Sequence, residues 1–283
     1  MPEILDHALQ PAGRGLWGPD PTSPDRMAET LIESDSRYFE MAAEIEHTGG
    51  ATIAHMPGLV HIAAGCVVHR PRLPWDSDTT ETTDTAIQAI ESRLAQLRCP
   101  QPRFYLTRPL PRLEQALAAR GYRPRVELGL ITRDLSPMSG LNVGLRRLHD
   151  ERDWDRKVRL HADCPLTPDG YATLPQDWVA MERQKCQHGG MTPYLIETQG
   201  TICGAVNAID MGELWRLKNL VIHPRFRRRG LAVAAVRLLA QEAGVAGGRA
   251  LGSFALENHL GLHTYQRAGL TVITRQIEWS RTE

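Results

Sequence analysis

"HPRFRRRGLAVAAVRLLAQEA", His223 to Ala243, decides how the second half of this chain is read. Leu220, Val221 and Ile222, just before it, are apolar without a break and read as a strand that Pro224 ends. Beyond Gly230, the residues Leu231, Ala234, Ala235, Leu238 and Leu239 recur at helical spacing and predict a helix with one buried face. Arg225, Arg227, Arg228 and Arg229 therefore fall in a strand-to-helix turn. The first turn of a helix exposes unpaired N–H groups and the positive end of the macrodipole, so a cationic cluster there is misplaced unless an anion joins it. Gly230, without a Cβ, lets the backbone close on such a ligand, and Ala232 keeps the helix start uncluttered. A phosphate or pyrophosphate resolves the conflict.

Composition sets the surroundings of that turn. At 283 residues and 42% hydrophobic content the chain can form one large domain or two of ordinary size. Lys plus Arg and Asp plus Glu balance at 33 each, which gives no electrostatic reason to expect a nucleic acid or an anionic membrane as partner. The five cysteines, Cys66, Cys99, Cys164, Cys186 and Cys203, are widely spaced without a C-x-x-C pair and read as reduced, mostly buried thiols. No apolar run of about 18 residues occurs, and the acidic, proline-bearing start lacks a signal segment, so a cytoplasmic protein, monomer or homodimer, is expected. No histidine has a second metal-ligating residue at a suitable spacing, and no metal is expected.

Along the chain, residues 1–25 are dense in glycine and proline and read as a flexible arm. Asp25 to Glu46 reads as a helix, and "ATIAHMPGLVHIAAGCVVHR" (51–70) as two strands turned at Pro57-Gly58. "TAIQAIESRLAQL" (85–97) reads as a helix, "RFYLT" (103–107) as a strand, "LPRLEQALAARGY" (110–122) as a helix stopped at Gly121, and "RVELGLITRDL" (125–135) as a strand. Composition turns small and flexible at "SPMSGLN" (136–142), and a similar run follows: a strand, helices to about Gln187, then strands at "PYLIE", "ICGAVNAI" and "LWRLKNLVI". The two halves close alike, on "LEQALAARGYRPRVELGLI" and "GLHTYQRAGLTVITRQIEW". The expectation is an α/β (α+β) fold of two tandem units, 26–138 and 139–283, each a mixed, mostly antiparallel central sheet flanked by helices.

"LVIHPRFRRRGLA" resembles the acyl-CoA-binding signature of the GCN5-related N-acetyltransferase superfamily, whose R/Q-x-x-G-x-G/A element matches Arg227, Gly230 and Ala232. "ENHLGLHTYQRAGL" resembles the next element of that family, with Asn258, Tyr265, Gly269 and Leu270 at its positions. The resemblance covers about residues 140 to 280 and implies acetyl-CoA as co-substrate. The coenzyme would be held by the amides of Arg227, Arg228, Arg229, Gly230, Leu231 and Ala232, by the strand Leu220, Val221 and Ile222, and by contact with Asn258. The first half looks like a decayed copy. Laying Gly121 on Gly269 puts Leu117 where Tyr265 stands, and "WDSDTTETTD" (75–84) is acidic where the second half is basic. Tandem bacterial members with a silent first unit, mycothiol synthase among them, are similar in this respect.

The activity so implied is direct attack of a primary amine, on a small molecule or a peptide, upon the acetyl thioester. Tyr265 is the candidate acid for the departing thiolate. The base is less legible. Where some relatives carry a glutamate, "LWRLKNLVI" offers Arg216 and Lys218, leaving Glu213 as the nearest carboxylate and Glu257 as a second choice. Arg216 and Lys218 read as solvated strand charges or as contacts to an acidic acceptor. Asn258 reads as the N-cap of its helix. A CoA-binding regulator without turnover, or an aminothiol acetyltransferase of the mycothiol-synthase type, remains the alternative.

Overall fold

The computed structural model describes residues 26–48, 59–62, 65–69, 84–85, 87–88, 91–92, 95, 102–137, 140, 142–164, 174–188 and 190–281. The expected N-terminal arm and the acidic segment 75–83 lie outside them. Helix α1 spans Arg26–Thr48; strands β1 (Leu59–Ile62), β2 (Gly65–His69) and β3 (Pro102–Leu106), helix α2 (Pro111–Ala119) and strand β4 (Arg123–Thr132) complete the first half. The second half runs β5 (Gly144–Arg147), α3 (Glu151–Ala162), α4 (Pro175–Gln187), β6 (Thr192–Thr198), β7 (Thr201–Asp210), β8 (Leu214–Ile222), α5 (Leu231–Val245), β9 (Ala250–Leu256), α6 (Leu260–Arg267) and β10 (Thr271–Ser280).

Ten strands form one sheet in the order β1-β2-β3-β10-β4-β9-β8-β7-β6-β5. Only β2 with β3 and β8 with β9 run parallel; the other pairings are antiparallel. The central sheets of the two halves thus run together, because each half lends its closing strand to the other. β4 sits between β9 and β10, and β10 sits between β3 and β4.

The internal repeat is visible in the register. Laying Gly121 on Gly269 carries Glu127 onto Arg275 and Leu128 onto Gln276, so the cross-strand pair Glu127↔Gln276 maps onto Leu128↔Arg275, and both pairs occur. Cys66↔Pro102 likewise maps onto Leu214↔Ala250. Helices α2 and α6 end in the same way. Gly121 and Gly269 take positive φ (83° and 94°). Tyr122 N–H reaches Leu117 O and Leu270 N–H reaches Tyr265 O, while each glycine N–H bonds three residues back. This is the left-handed cap that glycine allows at no side-chain cost.

Three local expectations change. The stretch read as one strand after Pro57-Gly58 contains two, β1 and β2, paired antiparallel from Leu59↔Val68 to Ile62↔Gly65, while the turn expected at Pro57-Gly58 and the strand before it lie outside the described residues. Helix α5 buries Leu231, Ala235, Val236, Leu239, Ala240 and Ala243, so its inner stripe is rotated past Ala234 and Leu238, which are half-buried. The third concerns Arg216, Lys218 and helix α1, which lies across the face of the sheet that carries Gly129 and Gly252. A Cβ at either glycine would meet the side chain of Leu31. Asp35 of α1 ion-pairs Arg216 at 3.0 Å and Lys218 at 3.2 Å and accepts from Gln276 of β10 at 2.9 Å. Arg216 is therefore a buried clamp between α1 and β8, with 2% of its side chain exposed, and not a solvated strand charge.

Removing one partner of a buried ion pair strands the other in a low dielectric. Asp35→Ala is expected to cost about 3–5 kcal/mol of stability, read as a lowered urea midpoint, which is far beyond the scale of a surface pair.

Candidate active site

Strands β8 and β9 pair only from Leu214↔Ala250 to Arg216↔Gly252, after which they separate while β8 continues to Ile222. A bulge in β8 accompanies the divergence. Between Ala205↔Val221 and Asn207↔Lys218, two residues of β8 oppose one of β7, and Asn219 takes φ 55°. That left-handed residue is held from below. Asn219 and Asn207 both donate to Glu182 of α4 at 2.6 Å, and Glu182 ion-pairs Lys157 of α3 at 2.8 Å in a buried cluster. Burial alone would raise the Glu182 carboxyl, but Lys157 beside it, with His161 and Asn219, holds it below the usual carboxylate range. Nothing in the spacing of Lys157, Glu182 and Asn219 along the chain announces this lock.

The open flank of β8, Lys218 to Ile222, is half-buried and leads into the arginine turn. A 3₁₀ turn, Pro224–Phe226, follows His223, whose Nδ1 accepts from Arg225 N–H at 3.2 Å. Gly230, φ 76°, caps α5, and Arg228 is also left-handed at φ 62°. Among the described residues, the backbone N–H groups of Arg228, Arg229, Gly230, Leu231, Ala232 and Val233 have no acceptor. A Cβ at Gly230 would find open space, so nothing in the chain packs against this exposed turn. The guanidinium of Arg227 is turned back onto Ile222 O at 3.0 Å, and that of Arg229 lies over the Phe226 ring. These features make a cradle of backbone donors for a multiply charged anion, with Arg225 and Arg228 exposed around it.

Tyr265 points from α6 into the divergence. Its hydroxyl hydrogen-bonds Ser253 of β9, and Ser253 Oγ accepts from Arg216 at 3.1 Å. Burial pushes the phenol upward, while the Ser253 hydrogen bond and the Arg216 charge pull it down; the net is a raised pKa, so Tyr265 holds its proton at neutral pH. In the first half Leu117 and Tyr105 occupy the positions of Tyr265 and Ser253.

Asn258 is exposed near the divergence, but the N-cap of α6 is His259, whose ring accepts from Gly261 N–H at 3.1 Å. The helix begins one residue later than the motif suggested. Glu213 lies at the other end of β8, where β8 and β9 are still paired, in ion pairs with Arg26 and Arg249. Glu257 is paired with Arg275. The structure thus brings Leu220 to Ile222, the arginine turn and Tyr265 to one opening and leaves Glu213 outside it.

Sequence reading missed three residues near this opening, Asp35, Glu127 and Gln276, each on an element that begins or ends a half. Glu127 on the lent strand β4 stands opposite Leu256 of β9 and Gln276 of β10. Gln276 Nε2 donates to Glu127 at 2.6 Å and to Asp35 at 2.9 Å, joining the two carboxylates. Burial raises the Glu127 carboxyl, and the charges of Glu278 and Asp35 raise it further, against the Gln276 hydrogen bond and Lys218, to about 7.

A separate cavity of about 470 Å³, lined by Arg37, Cys186, Met191, Ile209, Asp210 and Met211 among others, touches none of Tyr265, Ser253 or Glu127. No group of His, Cys, Asp or Glu able to hold a metal is found among the described residues, and no described helix is long and apolar enough to cross a membrane.

Residues 154–270 match the model of the Acetyltransferase (GNAT) family. The whole fold is similar to solved structures of low identity. A GCN5-related N-acetyltransferase from Kribbella flavida has a TM-score of 0.58 at 14% identity, covering 86% of this chain and 95% of that one. A tandem GNAT protein from the clavulanic acid biosynthesis pathway has a TM-score of 0.52 at 13% identity, covering 88% and 94%. A functionally unknown conserved protein from Staphylococcus epidermidis has a TM-score of 0.56 at 12% identity, covering 77% and 84%. No curated protein matches the chain.

The raised Glu127 carboxyl has a consequence for stability. Its folded-state pKa, about 7, exceeds the ordinary 4.5, so the folded protein binds the proton more tightly and loses stability as pH rises between those values. Glu127→Gln can accept the same Gln276 hydrogen bond without the charge. Its melting temperature is expected to exceed that of wild type at pH 8, with the gap closing toward pH 4.5.

Proposed function

We propose that the chain is an N-acetyltransferase that moves the acetyl group of acetyl-CoA to a primary amine of a small molecule or peptide by direct attack. The observation that carries this reading is the coincidence of a row of unpaired backbone donors at 228–233 with a divergence of β8 and β9 into which a protonated tyrosine projects. The donors suit a pyrophosphate, and the free edge of Leu220, Val221 and Ile222 suits an amide-bearing arm lying along it. Acetyl-CoA supplies an acyl group activated as a thioester. The chain's own work is to hold the acyl carbonyl against fixed donors and to keep the Tyr265 proton beside the departing sulfur. In this reading Arg228, Arg229 and Asn258 border the coenzyme, residues 139–283 form the catalytic unit, and residues 26–138 form a unit without its own coenzyme site.

Two variants test it. Gly230→Gln places a side chain, in a left-handed conformation unfavourable to it, in the open space beside the turn, and should abolish the rise in melting temperature that acetyl-CoA gives the wild type. Tyr265→Phe keeps the ring and its packing, so acetyl-CoA affinity should stay near wild type while kcat falls about a hundredfold or more, measured as CoA thiol release with a panel of amines. Full activity with a lowered melting temperature would instead make Tyr265 a packing residue, with roughly 1 kcal/mol lost for its hydroxyl.

A further inference from the structure

We propose that Glu127, carried into the second half's site by the lent strand β4, is the general base that takes a proton from the incoming ammonium group. The proposal rests on the acetyl-transfer reading and assigns that site's proton acceptor to the half whose corresponding segment, 75–84, is acidic in sequence.

Position is the first ground. The β8–β9 pairing stops at Gly252, and Glu127 stands opposite Leu256, four residues further along β9 and across that strand from the divergence, near enough to Lys218 of β8 for the two charges to act on each other. Alternation along β4 puts Glu127 on the face of Gly129, and that face is covered by α1. Tyr265 reaches Ser253 from α6, which packs with α5 in the core of the opposite face. Acid and base therefore lie on the two faces of the sheet with the divergence between them, so that the amine can lose its proton on one face as it adds to the carbonyl and the sulfur expelled from the tetrahedral adduct can gain one on the other.

The state of the neighbouring carboxylates is the second ground. Asp35 is committed to Arg216 and Lys218. Glu278 accepts from the Tyr105 hydroxyl at 2.8 Å and lies between Arg103 and Arg125, at 3.9 and 3.7 Å. Among the described residues Glu127 makes no ion pair, only the hydrogen bond from the neutral Gln276 amide. The charged groups facing it are Glu278 of β10, Asp35 of α1 and Lys218 of β8. Two ionised carboxylates against one lysine make its site proton-seeking near neutral pH, the range in which a base can both accept and release a proton.

The step balances as follows. The ammonium gives one proton to the Glu127 carboxylate, the freed lone pair forms the N–C bond, and the C–S bond then breaks. The sulfur leaves with the bonding pair and accepts the Tyr265 proton. The second surplus proton on nitrogen restores Tyr265, and Glu127 returns its own to solvent. Wild-type kcat/KM should accordingly rise with pH through about 7 as Glu127 deprotonates.

The test compares wild type and Glu127→Gln with two small acceptors, ethylamine, which is protonated at neutral pH, and hydroxylamine, which is largely neutral there. Acetyl-CoA should raise the melting temperature of both proteins equally. Enzyme-dependent thiol release with ethylamine should fall about a hundredfold or more in the variant, and the pH dependence through 7 should vanish, while release with hydroxylamine falls far less. Equal loss with both acceptors would make Glu127 a structural residue, and unchanged rates or no turnover of either acceptor by wild type would overturn its role as base. Failure of the underlying reading looks different: no shift of the wild-type melting temperature with acetyl-CoA.

Discussion

The antiparallel pairing of β4 with β10 is the contact on which the rest of the molecule depends. It joins the halves at a local two-fold in the register and sends each closing strand past its own half to the parallel pair of the other. β4 becomes the neighbour of β9, so the edge that would face solvent beside the β8–β9 divergence is covered by a strand from the other half. Helix α1 is then pinned across the junction by Asp35, which touches β8 through Arg216 and Lys218 and β10 through Gln276. A polar network thus spans elements more than two hundred residues apart in sequence, and its cost of burial is offset only because its charges are mutually satisfied.

Two devices open the site against that rigid background. The bulge at Asn219, tied to Glu182 and Lys157, accompanies the separation of β8 from β9. The left-handed residues Arg228 and Gly230 turn the chain so that successive amides at the start of α5 face outward together. Both place strain where function is sought, and both are held by buried contacts on either side. The first half differs in sequence at the corresponding positions: Tyr105 and Leu117 stand where the second half has Ser253 and Tyr265.

Much of this was legible in the sequence. The strand-turn-helix at His223 to Ala243, the glycine caps at Gly121 and Gly269 and the repeated closing segments are local patterns, and local patterns survive without knowledge of the fold. Tyr265 was found because its motif is contiguous. Glu127, Gln276 and Asp35 were not, because their meeting is set by strand exchange, which no spacing along the chain encodes. Lys218 and Arg216 read as solvated charges for the same reason: their partner is a single aspartate on a distant amphipathic helix. Glu213 was the nearest carboxylate in sequence, yet it stands at the closed end of β8.

Calorimetric titration of the full chain with acetyl-CoA tests the central claim most directly, that one of two related halves holds the coenzyme site and the other completes it. The account predicts one molecule bound per chain. Two molecules of comparable affinity, or none, would contradict it.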